Sequence, residues 1–369
     1  MIVDPQRWIW DSWYAQDGED HHAFFLAAPQ SLGDPDLRHW NAVAAHAVST
    51  DLREWRHLPD VLVPGEPGRF DDQAIWTGSV VKDGDVWRMF YTGIDATTRG
   101  SRQRIGQAIS HDLVTWTRVS ADPIVMADPR WYSTYDREGV EAFRDPWAFL
   151  HTDGRWHMLV TATDLFGHGC IGHATSDDLL TWVVEEPLAV KTGFLQLEVL
   201  QVHTFGETPV LFFSCLETDI SLDSVERRTG YYSAPAESPL GPFALERSEP
   251  VGPEGLYAGR VLETAEGPVM LGFRNVTATR PFEGVIGEPV PLTLTSRGTA
   301  VFPIAMGWPS NNNSPDVAGS ISVIMRARVD LPQPLSPTIA SVSPRCTEKL
   351  MPFNALTILA RLNNPPPEV

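Results

Sequence analysis

The chain has 369 residues, of which 43% are hydrophobic, and a formal net charge of −19 at pH 7. A protein this acidic is not expected to bind nucleic acid, which is recognised through basic surfaces. No stretch approaches the roughly 18 consecutive apolar residues that would span a membrane. The first residues lack the basic and apolar regions of a secretory signal, so we expect a cytoplasmic protein. The three cysteines show neither a metal-type spacing nor a disulfide framework, and no metal or cofactor is expected.

One phrase, S-x-D-L-x-x-W, occurs three times, with its aspartates at Asp51, Asp112 and Asp178. Spacings of 61 and 66 residues between these aspartates are typical of a β-propeller in which each repeat is one blade. In each copy the Asp follows a short apolar strand, and its carboxylate is expected to accept backbone N–H groups in a tight turn. The Trp four residues later is expected to pack back on the blade. We therefore interpret the three aspartates as structural turn residues.

Five blades can be drawn along the chain, each built from short apolar strands and turns. The clearest hairpins have Asp-Gly between apolar runs, at Asp83-Gly84 and Asp153-Gly154. No amphipathic helical period of any length is present. The sequence therefore predicts an all-β, five-bladed β-propeller in residues 1–305, with blades over about residues 21–62, 74–125, 145–188, 198–243 and 257–294.

Residues 306–369 have a different composition. They are rich in Pro, Ser and Asn, contain no repeat phrase, and end in a proline-rich run that is typical of disorder. We expect a poorly ordered or accessory tail without a catalytic role. No C-terminal β-sandwich is evident.

Three acidic residues stand where the innermost strands of predicted blades begin. Asp11 lies among tryptophans, Asp145 follows Arg144, and Glu198 lies among apolar residues. A carboxylate in such surroundings is costly unless it is paired or used. Because a propeller gathers one strand from each blade around its axis, the three could share one pocket. Two carboxyl groups in different environments are what glycoside cleavage needs, and Arg144 is expected to hold Asp145 ionised.

At these residues the chain resembles the five-bladed propeller enzymes that act on fructosides, namely invertases and levanases (glycoside hydrolase family 32) and levansucrases (family 68). Trp10-Asp11-Ser12-Trp13 resembles the levansucrase W-D-S-W motif around the nucleophile, and Trp76-Thr77-Gly78-Ser79 resembles W-S-G-S. Arg144-Asp145-Pro146 matches the R-D-P motif of the transition-state stabiliser, and Leu197-Glu198-Val199 stands where invertases have E-C-P. Tyr257-Ala258 is similar to the Y-A segment of the last blade, and the resemblance covers about residues 8–275.

The resemblance implies a retaining glycosidase that cleaves β-fructofuranosides such as sucrose, fructooligosaccharides, levan or inulin, with fructosyl transfer as a variant of the same reaction. Asp11 would be the nucleophile, Glu198 the acid/base and Asp145 the transition-state stabiliser. The substrate would be a small or oligosaccharide fructoside, and no cofactor is implied. Five further residues would bind it: Trp10, Trp76, Thr77, Ser79 and Arg144.

Two other functions stay open at this point. Family 43 shares the propeller and contains arabinofuranosidases and β-xylosidases with three carboxylates in an inverting arrangement, but the W-D-S-W and W-T-G-S phrases weigh against it. A propeller that binds carbohydrate without catalysis is the second, and the intact Asp/Asp/Glu set weighs against that. Glu198 lacks the Cys-Pro that follows the invertase glutamate, and Glu217 is its rival.

Overall fold

The computed structural model describes residues 1–276 and 281–302, and nearly all regular structure in these ranges is β. The strands form five consecutive antiparallel sheets, blades I to V, and one additional two-stranded sheet. Blades I and II contain β1 (Arg7–Asp17), β2 (Asp20–Pro29), β3 (Val43–Ser49), β4 (Arg56–Leu62), β5 (Ala74–Asp83), β6 (Val86–Ile94), β7 (Gln103–Ser110) and β8 (Thr117–Arg118). Blades III and IV contain β9 (Phe143–Leu150), β10 (Trp156–Thr163), β11 (Gly169–Ser176), β12 (Val183–Ala189), β13 (Glu198–Phe205), β14 (Thr208–Cys215), β15 (Gly230–Pro235) and β16 (Glu249–Pro250). Blade V contains β17 (Leu256–Thr264), β18 (Gly267–Arg274) and β19 (Val290–Pro291). The separate two-stranded sheet contains β20 (Thr293–Leu294) and β21 (Ala300–Val301).

Helical structure in the described ranges is limited to single turns. There is one α-helical turn, α1 (Tyr135–Glu138), and there are 3₁₀ turns at Gln30–Leu32, Pro35–Trp40, Glu217–Asp219 and Leu245–Arg247. Among the described residues, no helix has the length and apolar character needed to cross a membrane. The prediction of an all-β, five-bladed propeller is confirmed. The predicted tail, residues 306–369, lies outside the described residues.

The innermost strands of the five blades surround a common axis. Neighbouring innermost strands contact each other in the order β1, β5, β9, β13 and β17, and β17 in turn contacts β1. The ring is also joined by backbone hydrogen bonds between Ile2 and Ile286, 3.0 and 3.2 Å long. Ile286 is bridged to Phe273 of blade V as well, so the residue before blade I is tied to blade V. Residues far apart in sequence are thereby brought to one axis.

Apolar side chains fill the spaces between neighbouring blades. Leu159 and Ile171 of blade III, for example, pack in one buried cluster with Leu211 and Phe213 of blade IV. Because each blade is covered on both sides, a central strand such as β14 is buried over seven consecutive residues, all apolar except Ser214. These runs explain why the blades could be located from sequence.

The three repeat phrases form the same turn, between the third and fourth strands of blades I, II and III. In the third copy one carboxylate oxygen of Asp178 accepts the N–H groups of Leu180 (2.8 Å) and Thr181 (2.7 Å). Leu179 has a φ of 60°, and its side chain is buried. The same pairs of N–H groups are accepted in the other copies by Asp51 and Asp112. The prediction that these aspartates are structural turn residues is confirmed.

Each innermost strand carries a β-bulge near its start, where the strand approaches the axis. The pairing register shifts within Trp10–Ser12, Trp76–Gly78, Arg144–Trp147, Glu198–Gln201 and Tyr257–Arg260. Four of these bulges contain a non-glycine residue with positive φ: Asp11 (24°), Asp145 (57°), Val199 (56°) and Ala258 (47°). A non-glycine residue in this left-handed conformation costs about 1–3 kcal/mol of conformational energy, and such residues tend to cluster at functional sites. A bulge also re-aims the side chain of its extra residue, here toward the axis.

The repeat turn makes a prediction about stability. Replacing Asp178 by Ala should lower the melting temperature by a few degrees, because two N–H groups of the turn lose their acceptor. Asp177, its neighbour in the same turn, is exposed and pairs with Arg155, so Asp177→Ala is a matched control with little expected effect. Thermal unfolding of the two variants would test this. Equal melting temperatures would contradict the structural role of Asp178.

Candidate active site

A chain of hydrogen bonds crosses four blades at the bulged end of the axis. The Thr77 hydroxyl of blade II donates to Asp11 of blade I, and the Thr92 hydroxyl donates to the carbonyl of Thr77 (3.1 Å). The N–H of Asp145 in blade III donates to Thr92 (2.9 Å), and the N–H of Val199 in blade IV donates to the Asp145 carboxylate (3.2 Å). The structure thus brings the predicted residues Asp11, Thr77 and Asp145 together and places them beside the start of β13.

Asp11 is the extra residue of the bulge in β1, since its neighbours Trp10 and Ser12 pair with consecutive residues of β2. Its surroundings disfavour a negative charge. Burial, followed by the charge of Asp145, raises the pKa of Asp11 to about 7, and the hydrogen bond from Thr77 opposes this rise. Asp11 is therefore partly protonated near neutral pH and is kept in its ionised form mainly by the Thr77 hydroxyl.

Asp145 is almost completely buried, with 3% of its surface exposed. One carboxylate oxygen accepts the Thr161 hydroxyl (3.0 Å) and the Val199 N–H, and it lies 3.5 Å from Nε of Arg144. Arg144 lowers the pKa of Asp145, but burial has the larger and opposite effect, so that the pKa is raised overall. Arg144 therefore favours the ionised form of Asp145, as expected, but its effect does not fully offset the desolvation.

Glu198 is the main partner of Arg144. A guanidinium nitrogen of Arg144 lies 2.5 Å from one Glu198 carboxylate oxygen, and the Tyr257 hydroxyl donates to the other. Burial alone would lower the pKa of Arg144, but the charges of Glu198 and Asp145 raise it above its usual value. Burial and the charge of Glu198 raise the pKa of Tyr257 well above its usual value, so the phenol stays a donor. Both oxygens of Glu198 are thus fixed, while 21% of its side chain stays exposed.

Glu217, the rival of Glu198 in the sequence, is exposed on the 3₁₀ turn Glu217–Asp219. Asp219 at the end of the same turn is buried, and its carboxylate accepts a long bond from the Thr218 hydroxyl (3.4 Å). Burial, followed by the charge of Glu198, raises the pKa of Asp219 to about 7. Asp219 is therefore an additional acidic group next to Glu198 that the sequence did not indicate.

Aromatic rings surround Asp11. Trp10 and Trp76 are both nearly buried, and the His39 ring lies edge-on to each of them, with centroids 6.0 and 6.5 Å apart. The Trp76 indole N–H donates to the His39 carbonyl (2.6 Å), which fixes the 3₁₀ turn Pro35–Trp40 against blade II. Burial lowers the pKa of His39 well below its usual value, so the imidazole is neutral at neutral pH. The predicted role of Trp10 and Trp76 in substrate binding stays a prediction.

Arg38, on the same 3₁₀ turn, is a buried cation near Asp11. Its guanidinium lies over the rings of Phe282 (4.1 Å) and Trp10 (5.5 Å), and its Nε has no hydrogen-bond partner among the described residues. Burial lowers the pKa of Arg38 to about 10, and its charge in turn lowers the pKa of Asp11. Neither Arg38 nor His39 belongs to a strand or a repeat, which is why sequence patterns did not single them out.

Arg260, on the innermost strand β17, is 2% exposed. It donates to the carbonyls of Leu200 (2.7 Å), Val199 (3.3 Å) and Gly78 (3.4 Å), and its guanidinium lies 5.0 Å from the Trp147 ring. Burial lowers its pKa to about 10, while the charges of Tyr231, Asp145 and Asp11 act in the opposite direction. Arg260 thus joins blades II, IV and V and supplies positive charge close to the carboxylates.

Ser79 has a different position from the other predicted binding residues. It is buried two residues beyond Thr77 on β5, and its hydroxyl accepts the N–H of Ala148 in blade III (3.2 Å). This bond connects two innermost strands, so the observed contact of Ser79 is structural. Its predicted role in substrate binding stays a prediction.

The arrangement as a whole can perform acid, base and nucleophilic chemistry. Asp11 and Glu198 come from different blades and have different partners, a hydroxyl for Asp11 and a cation with a phenol for Glu198. Carboxyl groups in such different environments can hold different protonation states at one pH. The two donors to Asp145, the Thr161 hydroxyl and the Val199 N–H, both bond to the same carboxylate oxygen.

Comparison with characterised proteins gives matches to fructoside-active enzymes. Raffinose invertase of Escherichia coli is 33% identical over 174 residues, which are 46% of this chain and 33% of the relative. Sucrose:sucrose 1-fructosyltransferase of Festuca arundinacea is 34% identical over 159 residues, 41% of this chain and 22% of the relative. The matched segments thus span a third or less of these relatives.

Among solved structures, the inulosucrase of Halalkalicoccus jeotgali bound to kestose has a TM-score of 0.67 at 20% identity and covers 86% of this chain and 93% of that chain. At this identity the likeness establishes the fold. The sequence model of the glycosyl hydrolases family 32 N-terminal domain matches residues 4–236. This segment is more than half of the 369 residues and contains Asp11, Asp145 and Glu198. The chain therefore belongs to glycosyl hydrolase family 32.

Proposed function

We propose that this protein cleaves β-fructofuranosides by a retaining double displacement, with Asp11 as nucleophile, Glu198 as acid/base and Asp145 as transition-state stabiliser. One observation carries the proposal: three carboxylates from three blades meet in one connected set at the axis, in a chain of family 32. Retaining glycoside cleavage requires two carboxyl groups, a nucleophile and an acid/base, and the third carboxylate of the set can bind the sugar hydroxyls.

In the first step Asp11 attacks the anomeric carbon of the fructosyl unit, and Glu198 protonates the leaving oxygen. The short side chain of Asp11 is held by the Thr77 hydroxyl, which fixes the direction of attack. Burial raises the energy of the ionised nucleophile, and forming the covalent bond removes its charge. The same burial that raises the pKa of Asp11 therefore favours the fructosyl-enzyme.

In the second step Glu198, now ionised, takes a proton from an incoming water, which releases fructose. Arg144 and Tyr257 stabilise this ionised form through the bonds they donate to its two oxygens. A sugar hydroxyl that enters in place of water would give fructosyl transfer with the same residues. Asp145 binds the furanose hydroxyls, and its bonds strengthen as positive charge develops on the ring.

The ligand pocket is suited to a neutral sugar. Trp10 and Trp76 offer apolar ring surface, while Asp145, Asp219 and Arg38 offer charged hydrogen-bonding groups around it. The similar enzymes are named for raffinose and sucrose, and the similar inulosucrase structure contains kestose. These names support sucrose-type donors with a terminal fructosyl unit as the substrate class.

The first test is the release of sugars from sucrose, raffinose, inulin and levan by the wild type and by Asp11→Ala. We expect the wild type to release fructose and the variant to lose activity by several orders of magnitude, because the nucleophile is gone. Asp51→Ala, which removes an aspartate of a repeat turn, is the matched control and should retain activity when folded.

Each result of this test has a distinct meaning. Fructooligosaccharides in place of free fructose would indicate that the enzyme transfers fructosyl groups to a sugar and does not mainly hydrolyse its substrate. Turnover of arabinofuranosides or xylosides, with none of any fructoside, would contradict the proposal and favour the family 43 kind of activity. Binding of sugars without any turnover would favour a carbohydrate-binding propeller.

The Thr77 hydroxyl gives a prediction about pH dependence. Thr77→Val should raise the pKa of Asp11 beyond its value of about 7, because the bond from Thr77 is what opposes burial. Since kcat/KM requires ionised Asp11 in the free enzyme, its acid limb should move to higher pH. Thr77→Ser keeps a hydroxyl and should keep the wild-type limb. An unchanged limb in Thr77→Val would mean that Asp11 is not the titrating group.

Asp11 also gives a prediction about stability. The pKa of Asp11 rises from 3.8 to about 7 on folding, so ionisation of Asp11 destabilises the folded protein. This free-energy cost grows as the pH rises between the two pKa values and is complete above about pH 7. Asp11→Asn removes this charge and should raise the melting temperature at about pH 8, and by less at about pH 4, where the wild-type carboxyl is mostly protonated in the folded state. Thermal melts at the two pH values measure this difference. A melting temperature that falls at the higher pH would contradict it.

A further inference from the structure

The hairpin between β9 and β10 carries a compact group of side chains that the proposed reaction does not use. His151, Asp153 and His157 each present one donor atom, and the three atoms lie within 4.8 Å of one another. Within residues 1–276 and 281–302, no other three His, Cys, Asp or Glu side chains have their potential ligand atoms this close together. The spacing H-x-D-x-x-x-H is not one that the sequence alone suggested as a metal site.

The donor atoms have separations that suit a common cation. Nε2 of His157 lies 3.0 Å from one Asp153 oxygen, and Nδ1 of His151 lies 3.4 Å from the other. Ligands about 2.0–2.1 Å from a tetrahedral zinc ion are about 3.3 Å apart, so small movements would bring all three atoms into a single coordination sphere. The remaining position would be open to water, because His151 and Asp153 are partly exposed.

His157 has the support that a metal-binding imidazole normally receives. Its other nitrogen, Nδ1, is 2.9 Å from Nε2 of His173 on the neighbouring strand β11, and the two rings are stacked at an interplanar angle of 10°. If Nδ1 of His157 carries the proton and donates to His173, then Nε2 presents its lone pair toward Asp153 and His151. Such partners behind a ligating histidine fix its tautomer and orientation.

The hairpin is rigid without any cation. His151 and Arg155 are joined by a backbone bond of 2.9 Å, and the N–H of Gly154 donates to the carbonyl of His151 (3.0 Å). Gly154 has a φ of 84°, a conformation that favours glycine. One Asp153 oxygen also accepts the N–H of Arg155 (2.9 Å). The three donor atoms are therefore positioned before binding, which lowers the entropic cost of binding.

Blade I provides an internal comparison. His22 and His46 form the same kind of buried pair, with Nδ1 of His22 2.9 Å from Nε2 of His46. His46 and His173 stand at equivalent positions, three residues before the Ser of the repeat phrase. The stacked histidine pair is thus a feature of two blades, whereas the additional His151 and Asp153 occur at the hairpin of blade III.

From these contacts we propose that His151, Asp153 and His157 bind a divalent transition cation, with Zn²⁺ as the best fit. Two imidazoles and one carboxylate are ligands that zinc accepts readily, whereas Ca²⁺ and Mg²⁺ require more oxygen atoms. His151 directly follows β9 and is six residues from Asp145, which is up to about 20 Å at 3.3 Å per residue. The cation would therefore stabilise the hairpin and take no part in fructoside cleavage.

The test is a calorimetric titration of untagged protein with Zn²⁺ after treatment with EDTA, accompanied by the visible spectrum with Co²⁺. We expect one ion per chain and the intense absorption of tetrahedral Co²⁺. Asp153→Asn keeps an acceptor for the Arg155 N–H, and His151→Ala removes a partly exposed ligand, so both variants should fold. Each should weaken Zn²⁺ binding by about tenfold or more.

Matched controls lie on the same blade. Asp177→Asn removes an exposed aspartate beside Arg155, and His168→Ala removes an exposed histidine that lies 3.4 Å from Asp164. Both should bind Zn²⁺ like the wild type. Equal affinity in the ligand variants and the controls, or no stoichiometric binding by the wild type, would overturn the site. Should one ligand variant fail to fold, the other decides.

The location gives a second readout. Zn²⁺ should raise the melting temperature of the wild type and not that of Asp153→Asn. The rate of fructose release should be the same with EDTA and with Zn²⁺, because the site is remote from Asp11. A rate that depends on Zn²⁺ equally in the wild type and in Asp153→Asn would place the ion elsewhere and contradict the proposal.

Discussion

The site depends on burying several carboxylates beside one another at the axis of the propeller. An isolated buried charge would be very costly, and buried guanidinium groups offset part of this cost: Arg144 lies between Asp145 and Glu198, and the charge of Arg38 lowers the pKa of Asp11. The compensation is incomplete, because the pKa values of Asp11, Asp145 and Asp219 are all raised. Acidic groups with raised pKa values that lie close together are typical of functional sites.

The backbone supplies the second part of this arrangement. A regular strand would direct alternate side chains away from the axis. The bulges of β1 and β9 instead turn Asp11 and Asp145 inward, and both residues have positive φ. The strain is sustained by interblade hydrogen bonds, such as those that the Asp145 N–H donates to the Thr92 hydroxyl and the Ala258 N–H donates to the Ser214 hydroxyl. The rigid ring of blades thereby holds conformations and charges that a smaller scaffold could not.

Much of the fold could be predicted from sequence because its signals are local and repeated. The S-x-D-L-x-x-W turns and Asp-Gly hairpins mark where strands end, and continuous apolar runs mark strands buried on both faces. Thr77, which the resemblance placed among the binding residues, donates its hydroxyl to Asp11.

The balance of charges could not be predicted in the same way, since it depends on distances across the axis. Arg144 bonds to Glu198 more closely than to its neighbour Asp145, and Asp219, Arg38 and His39 enter the site from short 3₁₀ turns without a sequence signature.

The most direct test of the account is to trap the fructosyl-enzyme. Glu198→Gln would be incubated with β-fructofuranosyl fluoride, whose leaving group needs no protonation, quenched with acid, and analysed by peptide mass spectrometry. We predict a single fructosyl group on the peptide that contains Asp11, and none in a variant that also carries Asp11→Ala. An adduct on another carboxylate would contradict the account, and so would turnover with inversion and no adduct.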